Sequence, residues 1–440
     1  MTVFVLFVLL IVMLYLSYIT SKGILFTPQF GFAISFIPQA LLALFYVKKW
    51  NLDIGMETVL VIVGGICLFT ICNVVFNKVK FSFNYGNKLN KNNTENNDDL
   101  IIRIDTWKFL VLIIFQLLTI LLCIRYLLSL VPGVDLLSAI TYYRYTNLFS
   151  NNMFVIPSYI RMMRTFSISS GYVLLYIYIH SMLYKDKVNK IFVLSNIGLS
   201  LVNDMLFGAR TGLAIFAVSF VVQYYFIRGK KYGWKNALPF KSILKIVFFV
   251  FLFLATFQTI AEIMGRTLAS EYTFMDYIAG YLSAEIKNLD VFLKKGNFGT
   301  TWENNQTLNG IIPLLAKVFD QPQWVHKLDL PFVIENNYNY GNVYTIFYPF
   351  IYDMGYIGIL VYIPLMACIC QVVYKKIINI NDNDTISISL IIYSYIYFAL
   401  VFSFFSDKFY EIVLNTKFIW TLLSWIVLKK YFEIRIKIKR

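Results

Sequence analysis

The stretch Tyr338–Gly358, YNYGNVYTIFYPFIYDMGYIG, runs without a break into Ile359–Tyr374, ILVYIPLMACICQVVY. The second part carries no charge and, counted from residue 355, has the roughly 20 residues that a helix needs to cross a hydrocarbon core of about 30 Å. The first part is polar, tyrosine-rich and punctuated by glycine. It belongs at the mouth of a membrane and not in its middle.

Working outward, the same contrast recurs along the whole chain. Hydrophobic residues make up 59% and charged residues 14%, and the mean hydropathy is +0.66, well above an ordinary globular composition. Apolar runs of span length lie near 2–20, 24–47, 55–76, 107–130, 166–184, 190–207, 211–228, 242–264, 355–374, 385–405 and 410–428. They predict an all-α polytopic membrane protein with about eleven (10–12) transmembrane helices. No run alternates as a membrane β-barrel strand would. The N-terminal span from Val3 to Tyr18 lacks a basic flank and a small-residue cleavage site, and reads as a retained helix.

The net charge of +15 sits in short lysine and arginine runs between spans. That pattern reports topology and anionic lipid headgroups and excludes nucleic acid as a partner. Lys429, Lys430 and the terminal RIKIKR place the C-terminus in the cytoplasm. Counting back puts Lys375/Lys376, the cluster Arg228, Lys230, Lys231, Lys235 and the run Lys185, Lys187, Lys190 inside. Segments 131–165, 208–210 and 265–354 then lie outside. The first spans disagree, because Lys48/Lys49 fall outside by the same count; a missed or broken span among the first three would remove the conflict.

The chain reads as one integral membrane domain over 1–440, with a polar, mobile cytoplasmic linker at 77–106 around GNKLNKNNTENND. Its large external segment is 265–354. Within that segment, Tyr272–Phe292 alternates apolar and polar residues at helical spacing, with Asp276, Glu285 and Asp290 on the polar side, and predicts an interfacial or re-entrant helix.

All five cysteines lie in apolar spans and read as packing residues, and two histidines, His180 and His326, are too few for a histidine metal cage, so no metal site is expected. No phosphate-binding loop, dinucleotide fingerprint or HExxH is present, and no cofactor is expected. Arg144, Arg161, Arg164, Arg210 and Arg266 are informative because they fall at outer membrane ends, where positive charge is scarce. Arg161 and Arg164 share a face if YIRMMRTF is helical, and Arg210 opens a span beside Gly208 and Gly212, where a helix dipole disfavours a cation unless an anion is bound. Together they describe an external site for a pyrophosphate, which guanidinium groups hold bidentately; interfacial arginines also snorkel to headgroups or pair with acids. Candidate general bases on that side are Asp204, Glu262, Asp276, Glu285, Asp353 and His326. Each acid has the alternative of an ion pair, such as Glu262 with Arg266. Tyr340, Asn342, Tyr344, Thr345 and Tyr348 offer the hydrogen-bonding groups that sugar hydroxyls call for, and the same tyrosines also suit an interfacial belt.

The order GARTGLA (208–214), YIAGYLSAEIKNLDVFL (277–293), GNVYTIFYPFIYDMGYIG (341–358) resembles the Wzy-type polymerases of O-antigen and capsule repeat units over about residues 200 to 375. The resemblance implies a GT-C-like fold in the bacterial cytoplasmic membrane. It implies transfer of a growing glycan from undecaprenyl pyrophosphate to a sugar hydroxyl of the next lipid-linked unit, and a chain-length regulator of the Wzz type as partner. Arg210, Arg266, Glu262, Asp276 and Asp353 would be catalytic, with His326 as a further base. An O-antigen ligase uses the same donor with a different acceptor. A flippase of lipid-linked oligosaccharide is the transporter alternative, for which comparable halves and midplane charges are expected.

Overall fold

The computed structural model describes residues 1–79, 101–149, 154–208, 210–239, 241, 243–244, 273–296, 305–326, 328, 330–335, 338–379 and 386–434. The expected linker core, most of the span expected at 242–264, and the residues Glu262 and Arg266 lie outside them. Among the described residues, seven helices are long and apolar enough to cross a membrane. These are α1 (Thr2–Thr20), α2 (Pro28–Tyr46), α3 (Met56–Lys78), α4 (Thr106–Leu130), α6 (Ser158–Tyr184), α8 (Thr211–Tyr232) and α13 (Tyr356–Asn379). The shorter helices are α5 (Leu136–Phe149), α7 (Lys190–Met205), α9 (Phe274–Leu282), α10 (Ala284–Lys295), α11 (Ile312–Val318), α12 (Phe347–Met354), α14 (Ile388–Val401) and α15 (Lys408–Val413). A final helix, α16 (Thr416–Glu433), spans 18 residues and ends in a charged turn.

The long helices leave apolar side chains outside. Phe4, Val8, Ile11, Tyr15 and Ile19 are exposed along α1, and Leu110, Ile114, Leu117 and Leu121 along α4. Unbroken apolar stripes of this kind are unstable in water and ordinary in lipid. The protein is a multi-pass membrane protein.

Contacts divide the chain into two compact units, each assembled from distant pieces. The first comprises Met1–Phe81, Ala269–Asn379 and Ile396–Phe418; the second comprises Ser82–Leu268, Ile380–Tyr395 and Ile419–Arg440.

In the first unit, α1, α2, α3 and α13 pack around an aromatic core of Phe32, Phe36, Phe69 and Phe347. The Phe347 ring lies in the space a side chain at Gly65 would need, so α12 rests directly on the backbone of α3. The first three helices are whole, with no missed or broken span, and the conflict over Lys49 has another origin. Lys49 is ion-paired with Asp276 of α9, and the Trp50 carbonyl accepts the Tyr340 hydroxyl at 3.0 Å. The α2–α3 loop therefore shares one side with the 273–341 segment, and an acid waits there for its lysine.

The interfacial helix expected over 272–292 is two helices, α9 and α10, broken at Ser283. Thr273 and Asp276 form a reciprocal capping box that starts α9. The second helix has no wet face: every residue from Ala284 to Leu293 is buried. Its polar side chains meet partners distant in sequence, which the helical period alone does not reveal. Beyond it, β1 (Val333–Glu335) and β2 (Tyr338–Gly341) form an antiparallel pair with Glu335 opposite Tyr338, a small exception to the helical architecture.

In the second unit, small residues let helices approach closely. Ser200 of α7 fills the space beside Gly171 of α6, and Gln116 of α4 donates to Ser170 at 2.9 Å and to the Asn196 carbonyl at 3.1 Å. Interhelical polar contacts of this type hold membrane helices where apolar burial offers no drive. At one end of the unit, Asp186 accepts the Ile102 amide at 2.9 Å, Lys231 meets the Leu183 carbonyl, and Lys108 reaches the Tyr431 carbonyl at 2.7 Å. These contacts group segments 101–108, 183–187, 231 and 431–434 together, as the lysine count does.

Candidate functional site

The second unit gathers arginines at the α7–α8 corner. After α7 ends at Met205, Gly208 turns the chain with a left-handed φ of +72°, which glycine alone adopts without strain. The aliphatic stem of Arg144 from α5 packs against that glycine, 3.2 Å from where a side chain would begin. Arg164 of α6 donates from Nε to the Asn203 carbonyl and from a terminal nitrogen to the Asp204 carbonyl, both at 3.0 Å. Its guanidinium also lies 4.6 Å from the Phe207 ring centroid and 3.9 Å from the Asp204 carboxylate. Arg210 is the buried N-cap residue of α8. Three expected arginines thus surround the Asn203–Arg210 corner. Asp204 is set there against the first turn of α8 beside Gly212, where the helix dipole favours an anion.

Arg161 stands apart. α6 begins eight residues before the expected span and takes both Arg161 and Arg164 into one helix, as YIRMMRTF suggested. Arg161 is exposed, with a single weak contact of 3.5 Å to Ser158.

The tyrosine stretch lies in the first unit and builds its interior. Tyr340, Tyr344 and Tyr348 are each 3% exposed, Thr345 is fully buried, and Asn342 is half-buried. The Tyr344 hydroxyl donates to the Pro331 carbonyl at 3.0 Å, and Tyr344 and Tyr348 stack at 4.2 Å. Burial pushes the Tyr340 and Tyr344 hydroxyls up to about 12. Of the five residues expected to contact sugar, Asn342 alone keeps a surface to do so; the Tyr340 and Tyr344 hydroxyls close on backbone carbonyls, and the Thr345 hydroxyl is buried without a hydrogen-bond partner.

Asp353, at the end of α12, accepts the Gln306 and Thr307 amides, both at 2.8 Å. Burial nevertheless raises its carboxyl above the usual range, against those bonds and the nearby His326. His326 Nδ1 donates to the Trp324 carbonyl at 3.1 Å, because a carbonyl can only accept. In the neutral ring Nε2 then carries the lone pair, and this nitrogen is buried without a hydrogen-bond partner. Sequence reasoning missed the third member, Asp407, whose carboxyl burial raises strongly and which feels the charge of Asp353. Its signal is an acid between two apolar runs, FFSDKFYEIV, where it accepts the Tyr410 amide at 3.1 Å and starts α15.

Asp276 behaves differently. Burial works to raise its carboxyl, but hydrogen bonds from Lys49, Thr273 and Tyr46 outweigh that and hold it well below the usual range. It is a firm ionic anchor. Glu262 and Arg266 lie outside the described residues. Chemically, the arginine corner can hold an anion, and the Asp353–His326 group can take up a proton.

No protein-family model, no curated protein and no solved structure matches this chain.

Proposed function

We propose that this protein is a repeat-unit polymerase of the Wzy type, a GT-C-like glycosyltransferase with about eleven transmembrane helices in the bacterial cytoplasmic membrane and a cytoplasmic C-terminus. It joins oligosaccharides carried on undecaprenyl pyrophosphate at the outer face. The observation that carries this reading is the gathering of Arg144, Arg164 and Arg210 at one helix-to-helix corner. At that corner Arg164 faces the Asp204 carboxylate at 3.9 Å, and Arg144 and Arg210 bring further positive charge to the same turn. A pyrophosphate leaving group gains charge as the glycosidic bond breaks, and fixed guanidinium groups stabilise that charge. The donor carries its own leaving-group energy, so the reaction asks for no nucleotide and no cofactor.

The acceptor hydroxyl must lose a proton. In the first unit His326 Nε2 and Asp353 are the groups suited to take it, and Asn342 is the residue of the tyrosine stretch with surface left for sugar. A Wzz-type chain-length regulator is the expected partner. In a strain lacking its own polymerase, Arg210→Ala and Arg266→Ala are expected to leave only single-repeat glycolipid at normal protein level. Long polymer from both variants overturns the assignment. Accumulated lipid-linked polymer on deletion, in place of single repeats, assigns the chain as a ligase.

A further inference from the structure

Four polar side chains of α10, Glu285, Lys287, Asn288 and Asp290, are buried. Lys287 and Asp290 meet opposite charges, and the neutral Asn288 donates to carbonyls while its Oδ1 goes without a partner. Lys287 lies 2.9 Å from Glu335, Asn288 donates to the Val343 carbonyl at 2.7 Å, and Asp290 accepts from the Gly55 amide at 2.6 Å and Thr58 at 2.8 Å and faces Lys294 at 2.7 Å. Glu285 is not matched. It is 1% exposed; its Oε2 accepts one side-chain bond, from Gln39 Nε2 at 3.1 Å, and its Oε1 has no partner. Gln39, also 1% exposed, shares that same amide nitrogen with the Phe404 carbonyl at 3.1 Å, and its own Oε1 has no partner either.

The charged groups on the surrounding elements are engaged elsewhere. Asp276 of α9 holds Lys49, and Lys287, Asp290, Lys294 and Glu335 hold one another. Glu57 at the start of α3 accepts from Tyr356. Asp353 of α12 takes the Gln306 and Thr307 amides, and Asp407, beyond Phe404, takes the Tyr410 amide. Among the described residues no cation pairs with Glu285.

We propose that Glu285 is a proton-binding site: the side chain is kept as the neutral acid at physiological pH, its proton sealed inside the first unit. A carboxylate there would hold a full charge in a buried interior with a single side-chain donor and no cation, whereas the acid holds none. Protonation also converts one of its acceptors into a donor, in a pocket where two acceptor oxygens already lack partners. Burial pushes the carboxyl well above its usual range, and the hydrogen bonds from its own backbone amide and from Gln39 pull back less. A protonated Glu285 cannot serve as a general base, and the site takes a proton whether the chain is a polymerase, a ligase or a transporter.

The test is an infrared difference spectrum of the full-length protein in lipid nanodiscs, wild type minus Glu285→Gln, at pH 7 in water and in heavy water. A carboxylic-acid carbonyl band that moves on deuteration is expected; carboxylate bands in its place overturn the proposal. Thermal unfolding gives a second readout. The unfolded carboxyl ionises near its ordinary 4.5 while the folded one keeps its proton, so the folded wild type loses ground as pH rises. Glu285→Gln, which does not titrate, is expected to melt higher than the wild type by a margin that widens from pH 5 to pH 8. A margin that stays constant or narrows overturns the proposal.

Discussion

The Asp204 carboxylate lies against the Cα of Gly212, in the space an alanine methyl would occupy. Asp204 belongs to the last turn of α7 and Gly212 to the first turn of α8, so the contact holds an acid at the positive end of a membrane helix. Gly212→Ala forces the carboxylate off that position. The expected cost is about 1–3 kcal/mol, the range for overpacking a close contact, read by denaturation in detergent. Combined with Asp204→Ala, which removes the obstruction, the loss should be less than the sum of the two, since the residues touch.

The two arginines of YIRMMRTF should separate on mutation. Arg164 closes the end of α7 through two carbonyls and faces Asp204, and removing one partner of a buried pair costs about 3–5 kcal/mol. Arg164→Met is therefore expected to lower the folded yield sharply. Arg161, exposed and nearly unbonded, should tolerate Ala within about 0.5 kcal/mol. Equal losses from the two would contradict the corner described above.

Asp276 sets a pH dependence of opposite sign to that of Glu285. Its folded carboxyl is held below the ordinary 3.8 by Lys49, Thr273 and Tyr46. The stabilisation is fully present above that value and is lost as pH falls through the lowered folded one. Asp276→Asn should destabilise the protein at pH 7 by thermal melting, and the difference from wild type should shrink as the buffer is taken below pH 4.

The long helices were legible because a run of about 20 apolar residues has one stable fate in a bilayer. The first turns of α6 were less so, since two arginines in SYIRMMRT mask a helix and the Arg164 guanidinium finds its carbonyls only at the end of α7. The polar residues of α10 look like a wet face in sequence. They are buried because Gln39, Thr58 and Glu335, far along the chain, come to meet them. Tyr340 and Tyr344 likewise carry the chemistry of a sugar surface, yet their hydroxyls close on the carbonyls of Trp50 and Pro331. Periodicity reports local structure, and the partner of a polar group is a tertiary fact.

Whether the arginine corner serves glycan polymerisation is decided by purified protein in liposomes supplied only with a lipid-pyrophosphate-linked repeat unit on the exposed face. A ladder of lengthening glycans from the wild type, lost at least tenfold with Arg210→Ala while the protein stays folded, is the expected result. A wild-type protein that leaves every glycan at one repeat, or moves the lipid-linked unit across the bilayer without lengthening it, contradicts the polymerase.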